Sequence, residues 1–246
     1  MISIFKKKAP ERPDLSTLVS DMHSHLVPGI DDGSPNVETS IELIKGLTEL
    51  GFQKFIATPH ILWDMYKNDK STIEPAYLEL AQEMKNQKMK IPFRFAAEYF
   101  LDDHVDDIIE NEEDMLTIQD NWVLVEFSFI SAPLDLKDKL FALQIAGYNP
   151  IIAHPERYNY YSKDRKMYDE LKEAGYRFQL NLLSLTGYYG KSTQELAQYL
   201  VKKNYVDLLG TDLHHIRHLQ ALQSNPQLTD IIKGLQDSGR LMNHML

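Results

Sequence analysis

The chain contains no cysteine. Disulfides, thiolate-held zinc, iron–sulfur clusters and thiolate nucleophiles are therefore excluded. A basic surplus is missing too: 26 Lys and Arg face 36 Asp and Glu, for a formal net charge of -10. No nucleic acid is expected as a main partner, because neutralising phosphates takes a basic face. The acidity serves solubility, with room for some carboxylates to be masked by cations. No apolar run approaches the roughly 18–20 residues that cross a bilayer, so no stable membrane insertion is expected. The opening "MISIFKKKAPERP" sets its charges after a very short apolar patch, the reverse of a secretory signal. A cytoplasmic location and a flexible leader over residues 1–17 are the resulting expectations. The serine nucleophile elbow G-x-S-x-G is also missing. "GYYGKS" at 187–192 imitates a phosphate-binding loop, but its glycines stand too close together, and it reads as a loop entering a helix at Lys191.

What remains is an ordinary globular balance over 246 residues, 43% hydrophobic and 25% charged. Seven strand-like runs alternate with helix-like stretches: "STLVSDMHSH", "KFIATPH", "PFRFAAEYF", "NWVLVEFS", "NPIIAHPER", "RFQLNLLSL" and "VDLLGTDLHH". In "NVETSIELIKGLTELG" the residues Ile41, Ile44, Leu47 and Leu50 recur at helical spacing before Gly51 stops the helix. No Pro/Gly/Ser-rich linker or repeat interrupts the pattern, so residues 18–246 are expected to form a single domain. Regular βα alternation predicts a parallel sheet with helices outside, which an open doubly wound sheet and a closed barrel both satisfy.

Polar residues gather where those strands end. His23 and His25 close the first run, His60 the second, Glu98 the third, Glu126 the fourth, His154 the fifth, and Asp212 and His214 the last. Asp32 follows the first run. In a parallel barrel these ends meet at one mouth, where active sites are built. Singly, each group has a plainer reading: a hydrogen-bonded histidine, a carboxylate favouring a helix dipole, or an Asp-Asp-Gly turn at Asp31–Gly33. Together, nine imidazoles and carboxylates point to a metal centre, with a donor mix that suits Mn, Fe or Zn better than calcium. They are too many for one ion and suit two or three, joined by bridging carboxylates.

"DMHSHLVPGIDDG", "ATPH", "AAEYF", "LVEFS", "IAHPERY" and "GTDLHH" resemble the polymerase-and-histidinol-phosphatase (PHP) superfamily. Within it they are most similar to the manganese-dependent protein-tyrosine phosphatases of bacterial capsule and exopolysaccharide systems. The resemblance covers about Asp21 to His215 and implies an α/β fold, a distorted seven-stranded TIM-like barrel. It implies one metal held by His23, His25, Glu98 and Asp212. A second would sit on Glu98, Glu126 and His154, and a third on Asp32, His60 and His214. Mn2+ is the expected ion, with Fe, Zn or Mg as alternatives. Arg157 would grip the substrate phosphate. Arg217 is the candidate for a further basic contact, although its spacing departs from the family pattern.

The implied reaction is hydrolysis of phosphotyrosine by a metal-bound hydroxide, on a protein partner such as the tail of a bacterial tyrosine kinase. The alternative is a histidinol-phosphate or other small-molecule phosphatase. A metal-bound water, Asp31 or His215 would protonate the leaving oxygen. His218 reads as solvent-facing. Tyr158, Tyr160, Tyr161, Tyr188 and Tyr189 form either an aromatic rim for a phosphotyrosine ring or ordinary loop packing.

Overall fold

Two of the seven strand-like runs break in the middle, so the structure carries nine short strands. In order they are β1 (Ser20–Asp21), β2 (Lys54–Ala57), β3 (His60–Ile61), β4 (Phe93–Phe95), β5 (Glu98–Phe100), β6 (Trp122–Glu126), β7 (Asn149–Ala153), β8 (Arg177–Asn181) and β9 (Leu208–Gly210). The breaks fall at Thr58–Pro59 and Ala96–Ala97. Proline brings no N–H to a ladder, yet its carbonyl accepts the Glu98 N–H at 3.0 Å, while Ala57 O accepts the Ala96 N–H at 2.8 Å. Hydrogen bonding thus continues across both kinks. The strand directions change there, and the ladder divides into two parallel sheets ordered β1-β2-β4 and β3-β5-β6-β7-β8-β9. The regular seven-stranded arrangement is corrected to this extent. Beyond β1 and β9 the first and last runs lie side by side: Asp212 N–H donates to His23 O at 2.7 Å and His25 N–H to Leu213 O at 2.9 Å.

These statements come from a computed structural model that describes residues 12–246. Of the expected leader, residues 1–11 lie outside the described residues. From Leu15 onward the chain is anchored, because Leu15 and Leu18 are core leucines and Leu15 N–H donates to Leu50 O at 2.7 Å.

Eight α-helices accompany the strands among the described residues, six between strands and two after β9: α1 (Val37–Glu49), α2 (Lys70–Asn86), α3 (Asp103–Glu110), α4 (Leu136–Ile145), α5 (Lys166–Glu173), α6 (Lys191–Lys202), α7 (Ile216–Gln223) and α8 (Leu228–Asp237). α1 begins where Asn36 accepts the Thr39 N–H, and α2 where Asp69 and Thr72 form a reciprocal capping box. The loop reading of "GYYGKS" holds, since α6 starts at Lys191.

One apolar cluster collects alternate strand residues, among them Ile56, Ala96, Trp122, Leu124 and Leu208, with Leu246 packed into it. The other strand faces, such as Val123 and Val125, join the larger core shared with the helices. Side chains alternate along a strand. The inner lines therefore continue from Ile56 to His60, Ala96 to Glu98, Leu124 to Glu126 and Leu208 to Asp212. Packing of the inner core aims the polar groups.

Candidate metal centre

All nine residues singled out at the strand ends meet in one region. His23, His25, Glu98 and Asp212 are buried, and each offers a donor atom within 4.8 Å of the others. Glu98 Oε2 lies 3.2 Å from His23 Nε2 and 3.4 Å from His25 Nε2; Asp212 Oδ1 lies 3.4 and 3.3 Å from the same two nitrogens. His25, Asp32, His60 and His214 form a second group. There Asp32 Oδ1 stands 3.6 Å from His60 Nε2 and 3.5 Å from His214 Nε2. A third group is His60, Glu98 and Glu126.

That last set differs from the implied one, which put His154 with the two glutamates. His154 does touch both, its Nε2 3.0 Å from Glu98 Oε1 and 3.7 Å from Glu126 Oε2. The space between the glutamates is taken by His60 Nδ1, 3.3 Å from Glu98 Oε2 and 3.1 Å from Glu126 Oε1. His154 sits one residue past the inward line of β7, with a left-handed φ of 31°; Asp212 has a φ of 49°. Such backbone is costly for residues other than glycine and gathers at functional sites.

The imidazoles are held from behind. His23 Nδ1–H donates to Gln179 Oε1 at 2.7 Å, His25 Nδ1–H to Asp31 Oδ2 at 2.8 Å, and His214 Nδ1–H to Asp212 O at 2.9 Å. Each bond fixes the tautomer that leaves a lone pair on Nε2, the arrangement found behind metal-ligating histidines. His23 Nε2, His25 Nε2, His60 Nδ1 and Glu98 Oε2 are buried without a hydrogen-bond partner. An unsatisfied buried polar atom costs about 1–3 kcal/mol, and four facing one another are explained if they are ligands. The donor set of imidazoles and carboxylates fits divalent transition ions.

Without cations in place, a proton on the same imidazole nitrogens answers the carboxylates. Burial alone would depress His23, but the Glu98 and Asp212 carboxylates outweigh it and push its pKa up to about 9. Burial likewise opposes His25, yet Asp31, Asp212 and Glu98 raise it well above the usual histidine range. Burial would raise Glu98 and Asp212, but both are held well below the ordinary carboxylate range, with His23 the largest of the opposing influences. Negative charge persists here to balance cations.

Both oxygens of Asp31 are engaged. Its Oδ2 takes the His25 Nδ1–H and the His60 N–H at 3.0 Å, and its Oδ1 takes the Gly33 N–H at 2.9 Å. His215 caps α7 by accepting the His218 N–H at 3.3 Å. His218 is buried, not solvent-facing, and receives the His214 N–H on Nδ1; burial and the neighbouring His215 push its pKa down to about 3. Arg217 is exposed on α7. Arg157 reaches the cluster: its Nη1 donates to Asp212 Oδ2 at 2.8 Å, and its guanidinium lies 4.5 Å from the Phe129 ring and 4.6 Å from the Tyr189 ring. Of the five tyrosines considered for a rim, Tyr158 and Tyr161 are buried and Tyr160 donates to Ser128 O, as loop packing would have it, whereas Tyr188 is exposed and Tyr189 stands beside Arg157.

Gln179, Asn181 and Phe129 escaped the sequence reading. Asn181 Nδ2 donates to Asp212 Oδ2 at 2.9 Å. The signal for the first two was two amides spaced by two in the otherwise apolar "FQLNLL", a spacing that puts both on one strand face. For Phe129 there was none.

The backbone also comes close. A Cβ on Gly210 would lie 2.7 Å from both His23 Cβ and Gln179 Nε2. Gly210→Ala should displace His23 and its Gln179 bond, lowering stability by about 1–3 kcal/mol and weakening metal uptake; denaturation midpoints and elemental analysis of the variant check this.

A parallel α/β chain with buried imidazoles and carboxylates, grouped as metal ligands would be, is the class of protein these features define. The chain belongs to the capsular polysaccharide synthesis family CpsB/CapC, whose model matches residues 19–237. It is 28% identical over 198 residues to the tyrosine-protein phosphatase YwqE of Bacillus subtilis, covering 80% of this chain and 78% of that one. To the tyrosine-protein phosphatase CpsB of Streptococcus pneumoniae it is 24% identical over 201 residues, covering 80% and 83%. A crystal structure from work on YwqE and CpsB, described as metal-dependent tyrosine phosphatases, superposes with a TM-score of 0.79 at 25% identity, covering 92% of this chain and 90% of that one. Histidinol phosphate phosphatase of Lactococcus lactis shares the fold, with a TM-score of 0.52 at 14% identity over 91% of this chain and 94% of that one.

Proposed function

We propose that the chain is a metal-dependent protein-tyrosine phosphatase, a phosphoric monoester hydrolase acting on phosphotyrosine in a protein partner. One observation carries it: unpartnered buried donor atoms of His23, His25, His60 and Glu98 converge beside Arg157. Under this reading His23, His25, Glu98 and Asp212 hold one ion, His25, Asp32, His60 and His214 border a second, and His60, Glu98, Glu126 and His154 border a third. Two or three ions are proposed, manganese first among them. Bound divalent ions at such a site supply Lewis acidity and lower the pKa of water toward neutrality.

The protein's own groups do the rest. Gln179 and Asp31 keep His23 and His25 in the ligating tautomer. Arg157 spends Nη1 on Asp212 and keeps its remaining N–H groups for phosphoryl oxygens, where charge-assisted bonds are strong. A tyrosyl oxygen, with a pKa near about 10, leaves with little acid assistance, which agrees with Asp31 being committed to His25. We assign Asp31 and His215 to positioning rather than proton donation, and leave Arg217 as the candidate for a second basic contact.

The same reading takes the two sheets as arcs of one distorted barrel, supported by the pairing of Ser24 with Leu213. It also places residues 18–246 in a single domain. A bacterial tyrosine kinase tail is the proposed partner. No helix among the described residues is long and apolar enough to cross a membrane, and a cytoplasmic location belongs to the same proposal.

Chelation tests the reading. EDTA-treated protein should lose phosphotyrosine-peptide hydrolysis by a factor of about 100 or more, and Mn2+ should restore it. Turnover that survives complete removal of metal would overturn the proposal.

A further inference from the structure

An aromatic stack runs out of the core and ends beside the candidate centre. Phe127 and Tyr158 stack at 3.8 Å between ring centroids and 17° between planes; Phe129 follows, 5.7 Å from Tyr158 at 26°. Phe127 and Tyr158 are fully enclosed, whereas Phe129 is 43% exposed. The exposed ring adjoins both kinds of group that would meet a phosphoryl anion. The Arg157 guanidinium is 4.5 Å from its centroid, and the His154 ring is 5.3 Å away.

The loop holding Phe129 is pinned on both sides of the ring: Tyr160 donates to Ser128 O at 2.9 Å, and Ile130 N–H donates to Ser128 Oγ at 3.1 Å. A rigid, half-uncovered aromatic ring next to a cation and a buried imidazole calls for a ligand with an anionic end and an apolar, planar body. Covering it returns apolar area to a dry environment and adds an aromatic pair, a gain beyond the area term.

We propose that Phe129 determines specificity by forming the wall on which the aryl ring of the substrate lies while Arg157 engages the phosphoryl group. This rests on the phosphatase reading and adds to it the means of choosing aryl over alkyl esters. Arg157 keeps Asp212 and Tyr189 as supports when Phe129 is shortened, so the loss should fall on the ring and spare the anion.

The test is equilibrium binding by calorimetry of two unreactive ligands, phenylphosphonate and methylphosphonate, to manganese-loaded protein. Phe129→Ala should weaken phenylphosphonate about tenfold, the fold-change of a 1.4 kcal/mol contact, and methylphosphonate less than about twofold. Phe129→Tyr should retain the wild-type ratio. Equal weakening of both ligands would mean that the ring serves Arg157 alone, and unchanged affinity for both would mean that it serves neither; each result overturns the inference. Phenyl phosphate hydrolysis by the wild-type protein is the parallel control. Metal-loaded protein with no such turnover sinks the phosphatase reading itself, whereas normal turnover with an unchanged binding ratio sinks only the role of Phe129.

Discussion

Glu98→Gln should empty most of the metal centre and lower phosphotyrosine hydrolysis by at least about a thousandfold, some 4 kcal/mol of lost transition-state stabilisation. One carboxylate touches four imidazoles: Oε2 is within 3.4 Å of His23, His25 and His60, and Oε1 is 3.0 Å from His154. Glutamine keeps the shape and removes the charge. It also turns one oxygen into an N–H2 group, which cannot ligate and would face a ring nitrogen left without a proton. Elemental analysis should find fewer metal ions per chain than in the wild type. Full metal content with full activity would show that Glu98 is a spectator and that the proposed bridging position is wrong.

Arg157→Ala is expected to act on the other half of the site. Removing one well-placed donor to developing charge typically costs about 2.7–4 kcal/mol, a factor of 100–1,000 in rate. Metal content should stay at the wild-type level, because Asp212 keeps the Asn181 Nδ2–H bond at 2.9 Å and its contacts with His23 and His25. Arg157→Lys should fall between the two, since an ammonium supplies charge without the planar fork. Kinetics and elemental analysis on the same preparations separate the roles. Metal loss in Arg157→Ala would mean that the guanidinium supports Asp212 and is not there for the substrate.

The comparison of sequence with structure divides along physical lines. The ligand-rich strand ends were legible because a strand sends alternate side chains to one face, so His23 with His25, and His60, Glu98, Glu126 and Asp212 after their apolar runs, carried their direction in their spacing. Of the two breaks, Pro59 marks the first, since proline gives a ladder no N–H, while at Ala96–Ala97 no residue states where the sheet must divide. His218 looked like a surface residue because the stretch around it, "HHIRHLQ", is largely polar, and only the packing of α7 encloses it.

What the amino-acid order determined by itself was chemistry and direction: no thiol anywhere, alternating strands and helices, and imidazoles and carboxylates placed at one end of each unit. Which of those groups face one another was settled only by folding. His60 displaced His154 from between the glutamates, Asp31 became the partner of His25, and Phe129 came to lie over Arg157. Such pairings depend on distances between segments far apart in the chain, set by how the inner core packs and by two left-handed turns at His154 and Asp212, and no local spacing encodes them.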